Sequence, residues 1–102
     1  MKERQEEALR AAAAEFLNRE ANRTSMITVT RTELSNDGKR AIIYLSVFPE
    51  SGEEPAVKFA NRNRGEFGVF LLKQVRGLRV PHVDFQIDMG EKHRRRLDEL
   101  SN

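Results

Sequence analysis

The chain opens on a helical period. Leu9, Ala12, Ala13, Phe16 and Leu17 recur at i, i+3, i+4, i+7 and i+8, the spacing that places apolar side chains on one face of an α-helix. Ala11 to Ala14 adds high intrinsic propensity, and Asn22 is a suitable terminator just past the stripe. A helix over about 2–20 is predicted. The period then shortens. Residues 26–34, Met-Ile-Thr-Val-Thr-Arg-Thr-Glu-Leu, and residues 39–48, Lys-Arg-Ala-Ile-Ile-Tyr-Leu-Ser-Val-Phe, are rich in the β-branched types that suit a pleated surface. Ser35-Asn36-Asp37-Gly38 lies between them and signals a hairpin, because glycine takes φ > 0 without steric penalty. The second run is apolar on both phases. Ala41, Ile43, Leu45 and Val47 occupy one, and Ile42, Tyr44 and Phe48 the other, so this strand is expected to be the better covered.

Pro49-Glu50-Ser51-Gly52 breaks the second strand, and a helix is predicted to start near Glu54 with Pro55 at its first position. Ala56, Phe59, Ala60 and Asn63 share one face of it. A second helical pattern runs through Phe67, Phe70, Leu71, Gln74, Val75 and Leu78, and Gly65 and Gly68 stand where the two patterns meet. Each glycine costs about 1 kcal/mol in a helix interior, so a break in helical hydrogen bonding is predicted at Asn63 to Gly65. Gly77 and Pro81 end this region. His82 to Asp88 then alternates, with Val83, Phe85 and Ile87 facing in and His82, Asp84, Gln86 and Asp88 facing out. The tail from Gly90 to Asn102 carries a short helical pattern, Leu97 and Leu100, behind a charged run. The order predicts an α+β fold, a three-stranded sheet with helices on one face. It reads as a single domain over 1–102, with a core over about 4–90 and a short charged segment at 91–102.

Composition narrows the chemistry. With no cysteine among 102 residues, disulfides and thiolate metal sites are excluded. No apolar run approaches the ~20 residues needed to span a bilayer. The start, Met1-Lys2-Glu3-Arg4-Gln5-Glu6-Glu7, has no apolar signal core, so a cytoplasmic protein is expected. His82 and His93 have no ligand partners at metal-site spacing. Asp84 and Asp88 would share a strand face about 13 Å apart, too far for a tight acid/base pair. There is no Walker A sequence and no dinucleotide fingerprint. Ser25, Ser35, Ser46, Ser51 and Ser101 have no nearby histidine in a recognisable arrangement. Neither an enzyme nor a cofactor is expected.

Charge does change the picture. The net charge is only +2, but it is unevenly placed. From Lys58 to Arg79 there are six basic residues (Lys58, Arg62, Arg64, Lys73, Arg76, Arg79) and one acid, Glu66, a net of +5. A cationic stretch of this kind suits an anionic partner, although a solvated helix face would look the same. Within it lies Asn61-Arg62-Asn63-Arg64-Gly65-Glu66-Phe67-Gly68. A glycine break between helices lets backbone amides approach an anion, and the next helix N-terminus adds its positive end. KH domains clamp a nucleic-acid backbone with such a helix–loop–helix, and Gly65 to Gly68 spells G-x-x-G. From this motif alone, an RNA clamp and a bare structural kink explain the residues equally well.

The ordered set of patterns resembles the ribosome-binding factor A family. Ile27-Thr28-Val29-Thr30 with Glu33-Leu34-Ser35 and Asp37 is similar to the family's first strand and turn. Lys39-Arg40-Ala41-Ile42-Ile43-Tyr44-Leu45-Ser46-Val47 is similar to its second. Asn63-Arg64-Gly65 sits where the family carries an Ala-x-Gly interhelical kink, and Val80-Pro81-His82-Val83-Asp84-Phe85 with Asp88 resembles its Val-Pro-x-Leu-x-Phe and later Asp. The likeness covers roughly residues 4–96. Three positions differ: Asn63 replaces the usual Ala, Gly68 a frequent arginine, and Glu66 a common aromatic. The resemblance implies a KH type II-like fold and a non-catalytic, monomeric factor. Such a factor binds the immature small ribosomal subunit and its rRNA late in maturation. It also implies RNA contacts from Lys58, Arg62, Asn63, Arg64, Gly65, Lys73, Arg76 and Arg79, with Arg94 and Arg95 of the tail in support. A generic KH-like binder of single-stranded RNA, or a protein-interaction module without RNA, shares the same element order.

Overall fold

The computed structural model describes residues 2–20, 25–75, 77 and 79–90. Three helices and three strands follow in the predicted order. They are α1 (Lys2–Glu20), β1 (Met26–Leu34), β2 (Arg40–Phe48), α2 (Glu53–Arg62), α3 (Arg64–Gln74) and β3 (His82–Ile87). The strands form one sheet in the order β1-β2-β3. β1 and β2 are antiparallel, and β3 runs parallel to β2, which the α2–α3 crossover makes possible.

Burial follows from the periodicities. The α1 stripe of Leu9, Ala12, Ala13, Phe16 and Leu17 is wholly buried. It meets the inward phase of central strand β2, Ala41, Ile43, Leu45 and Val47, in one core shared with Ala56, Ala60, Phe67, Leu71, Val83 and Phe85. Phe67 is the hinge of this core. Its ring lies 5.4 Å from Phe16 of α1 and 5.9 Å from Phe85 of β3, in tilted and edge-on contacts. The opposite phase of β2, Ile42, Tyr44 and Ser46, is only half-buried. There the Arg31 guanidinium lies over the Tyr44 ring, 3.8 Å from its centroid.

The hairpin forms as read. Gly38 has φ +72, its N–H donates to the Ser35 carbonyl at 2.9 Å, and Asp37 Oδ1 accepts from Ser35 Oγ at 2.6 Å and the Lys39 N–H at 3.0 Å. These donors hold the Asp37 carboxyl below its ordinary range, the Ser35 hydroxyl contributing most.

Four local expectations are corrected. β1 does not alternate regularly, because a bulge interrupts its pairing between Val29 and Arg31. Thr30 is the extra residue, so the buried phase passes from Val29 to Leu34. Asp88 does not face out. It follows the end of β3, is 4% exposed, and accepts a hydrogen bond from Thr30 Oγ1 at 2.6 Å, with Arg31 Nε at 3.6 Å. Helix α2 starts at Glu53, directly after a 3₁₀ turn at Glu50–Gly52, so Pro55 is third rather than first. The position is tolerated because N–H groups of the first turn have no intrahelical acceptor.

The fourth correction concerns the kink. The helix does break, but at Asn63 alone, with φ −99 and ψ 16. Gly65 lies inside α3 and is not among the residues with positive φ. The asparagine side chain supplies the reason. Asn63 Nδ2 donates to the Phe59 carbonyl at 2.8 Å, the same acceptor its own N–H reaches at 3.2 Å, and such side-chain back-bonding bends a helix. A Cβ built on Gly65 meets nothing within 4 Å. Gly65→Ala is therefore expected to stabilise the fold by about 0.5–1 kcal/mol, seen as a rise in Tm of a few degrees. A fall in Tm would show that the backbone at this point needs glycine after all.

The short helical pattern at Leu97 and Leu100, and the terminator Asn22, lie outside the described residues.

Candidate nucleic-acid interface

Helix α2 buries Ala56 and Ala60, which turns Lys58 and Arg62, one helical turn apart, to solvent. The kink at Asn63 then redirects the chain so that Arg64, the first residue of α3, comes alongside β3. Val57, Lys58, Asn61, Arg62 and Arg64 line one shallow, open groove. Three of the expected basic contacts are thereby brought together at the predicted place.

Their electrostatic states differ. Lys58 Nζ is 2.9 Å from Glu54 Oε1, one turn back along α2. That ammonium holds the Glu54 carboxyl below its usual value. The spacing i, i+4 made this pair visible in the sequence. Arg62 is exposed and has no acidic partner among the described residues. Arg64 is engaged on three sides. Its Nε donates to the Asn61 carbonyl at 3.1 Å, its Nη1 reaches the Val83 carbonyl at 3.4 Å, and the same Nη1 lies 3.6 Å from Asp84 Oδ1. Its side chain is 41% exposed, so Arg64 is exposed but held, whereas Arg62 is exposed without an acidic partner among the described residues.

Asn63 is half-buried, and its Nδ2 is engaged on α2, where it braces the kink. Gly65 is exposed at the start of α3, where the absence of a side chain leaves the backbone approachable. Lys73 is exposed in the last turn of α3. Arg79 is also exposed, but it lines a different pocket, with Lys2, Gln5 and the hairpin residues Ser35 to Gly38. Arg76, Arg94 and Arg95 lie outside the described residues.

Asn61 had no assigned role in the sequence reading. Its Nδ2 donates to the Phe85 carbonyl at 3.2 Å while its Oδ1 accepts from the Phe85 N–H at 3.0 Å. One amide thus fixes the end of α2 to β3. No local signal announces this, because Asn61 and Phe85 are far apart in the chain. Asn61→Ala is expected to cost about 1–3 kcal/mol, since two part-buried backbone groups lose their partner. Chemical denaturation measures it. An unchanged midpoint would mean that water replaces the amide without loss.

No group of three or more His, Cys, Asp or Glu side chains among the described residues is placed to hold a metal ion. No helix among them is long and apolar enough to cross a membrane.

Comparison with known proteins bears on the family and the fold. Residues 1–101 match the family model described as Ribosome-binding factor A. A curated ribosome-binding factor A from Fervidobacterium nodosum is 30% identical over 77 residues, covering 74% of this chain and 62% of that protein. The chain thus spans about three fifths of that relative's length. The crystal structure of ribosome-binding factor A from Thermus thermophilus superposes with a TM-score of 0.76 at 28% identity, over 85% of this chain and 96% of that one. A homology model of the Thermus thermophilus factor, fitted into the cryo-EM map of its 30S complex, gives a TM-score of 0.70, again at 28% identity, over 80% and 89% of the two chains. The chain belongs to the ribosome-binding factor A family, and its mixed three-stranded sheet with a broken helix pair is the KH-like fold of those structures.

Proposed function

We propose that this protein is a non-catalytic assembly factor that acts in the cytoplasm and binds the rRNA of the immature small ribosomal subunit late in maturation. The observation that carries the reading is the convergence of Lys58, Arg62 and Arg64 on one open groove at the interhelical kink. Cations there meet phosphate oxygens, and the exposed α3 N-terminus at Gly65 adds N–H groups that lack helical acceptors. Membership of the family supports the choice of partner, as does the likeness to a Thermus thermophilus relative fitted into a 30S complex.

Binding of this kind releases condensed cations. The logarithm of affinity should fall with the logarithm of salt, with a slope of about −0.7 for each phosphate contacted on single-stranded RNA. Sedimentation of the protein with ribosomal fractions tests the whole reading. It should travel with immature small subunits in preference to mature ones and to free single-stranded RNA. Equal binding to any single-stranded RNA would replace it with a generic RNA binder. No RNA association at all would leave a protein-interaction module.

A further inference from the structure

We propose that Asp84 is an intramolecular stand-in for an RNA phosphate at Arg64, and that it limits how tightly the groove holds RNA. The inference rests on the RNA-binding reading above and adds a residue that acts against it. Arg64 is a preorganised cation. Its Nε is fixed by the Asn61 carbonyl at 3.1 Å and its Nη1 is steered by the Val83 carbonyl at 3.4 Å, so the guanidinium is aimed before any ligand arrives. Both of these partners are neutral. The charge is met by Asp84 instead, whose Oδ1 lies 3.6 Å from Nη1.

That separation is too long for a hydrogen bond, and the two side chains are 41% and 46% exposed. An ion pair so loose and so wet is worth little and exchanges readily. A phosphate offers the same guanidinium short, charge-assisted hydrogen bonds, which are about twice as strong as neutral ones. Asp84 therefore occupies the position an RNA phosphate would take, without holding it firmly. Its Oδ2 accepts from Gln86 Nε2 at 3.2 Å, and this contact steadies the carboxylate beside Arg64. RNA that engages Arg64 must displace Asp84 and then tolerate a carboxylate nearby. Both effects weaken binding, which suits a factor that has to leave its partner.

The test is a cycle of Asp84→Asn, Arg64→Ala and the double variant, alongside a Lys58→Glu/Arg62→Glu protein as a control on the reading itself. Asparagine keeps the shape of the side chain and can still accept from Gln86. Binding to immature small subunits and to a fluorescently labelled oligouridylate is measured over a range of salt. Asp84→Asn should bind roughly two- to fivefold tighter, and its salt slope should steepen by about 0.7, one further phosphate contact. In the Arg64→Ala background the same change should have no effect beyond that of removing one distant charge, and the slope should not move. An Asp84→Asn protein that binds like the parent overturns the proposal. So does an equal gain with Arg64 absent. If the Lys58/Arg62 control also binds like the parent, the RNA reading of the groove falls too. If that control loses binding and Asp84→Asn shows no gain, only the role of Asp84 falls.

Discussion

Phe67→Ala is expected to destabilise the protein by about 3–5 kcal/mol, the range for truncating a buried phenylalanine. The ring is fully buried and stands between Phe16 and Phe85. Its removal leaves a void between α1, α3 and β3 together, so no single element can move in to fill it. Aromatic contacts worth roughly 0.5–1.5 kcal/mol each are lost as well. A domain of this size holds on the order of 5–15 kcal/mol in all, so the variant should be partly unfolded or melt far below the parent. Thermal and urea melts check the result. A loss under about 1 kcal/mol would mean that α3 packs less tightly on α1 than the ring distances indicate. Phe67→Leu keeps most of the volume and should recover much of the loss.

Lys58→Glu/Arg62→Glu is expected to have the largest effect on binding with little effect on folding. Both residues are exposed on the outer face of α2. Lys58 gives up its pair with Glu54, which is 78% exposed at the side chain, and the new carboxylates repel at i, i+4 along α2. Exposed terms of this kind are a few tenths of a kcal/mol each, so the total loss should stay within about 1 kcal/mol. On the binding side, two attractions become two repulsions. The salt slope should fall by about 1.4, two contacts at about 0.7 each, and co-sedimentation with small subunits should be largely lost. Arg62 and Arg64 would be a less clean pair to reverse. Arg64→Glu would place a second carboxylate against Asp84 and abandon the Asn61 and Val83 carbonyls, so stability and binding would change together. A Lys58/Arg62 variant that still co-sediments like the parent would move the RNA surface away from the kink, with Lys73 and Arg79 as the next exposed cations to test.

What was legible in the sequence was whatever a local period could express. The five α1 stripe residues are all buried because one helix face meets one sheet face, which the 3.6 spacing records directly. The β1 bulge was harder to see, although a trace of it existed. Ile27 and Val29 occupy odd positions and Leu34 an even one, which a single unbroken alternation cannot place on one side. The kink was read for the wrong reason. Glycine's helical penalty pointed at Gly65, whereas the break sits where an asparagine amide bonds back to the last turn of α2. The contacts of Arg64 were not legible, because the apolar stripe does not involve it. Two of its three partners, Val83 and Asp84, belong to β3, which reaches it through parallel pairing with β2, and no local pattern encodes those contacts. Asp88 was misread in the same way, since its partner Thr30 lies on β1, across the sheet. The family resemblance added the KH type II-like character of the fold, while the charge balance inside the groove depends on contacts between residues distant in the chain.

The Asn61 amide has a consequence beyond the groove. Phe85 turns its N–H and C=O outward from β3, on the side away from β2, and those are the groups an incoming strand would pair with. Asn61 takes both, and Arg64 takes the neighbouring Val83 carbonyl. On the far side of the sheet, Glu6 of α1 accepts the outward N–H of Leu34 through Oε2 at 2.8 Å, and its own carbonyl accepts from Thr32 Oγ1 at 2.6 Å. Both margins of a small sheet are therefore stoppered by side chains at these points. Another polypeptide can extend the sheet at Phe85 only by first evicting an amide that makes the same two hydrogen bonds. Side chains that line the groove thus also guard the sheet against aggregation through its edges.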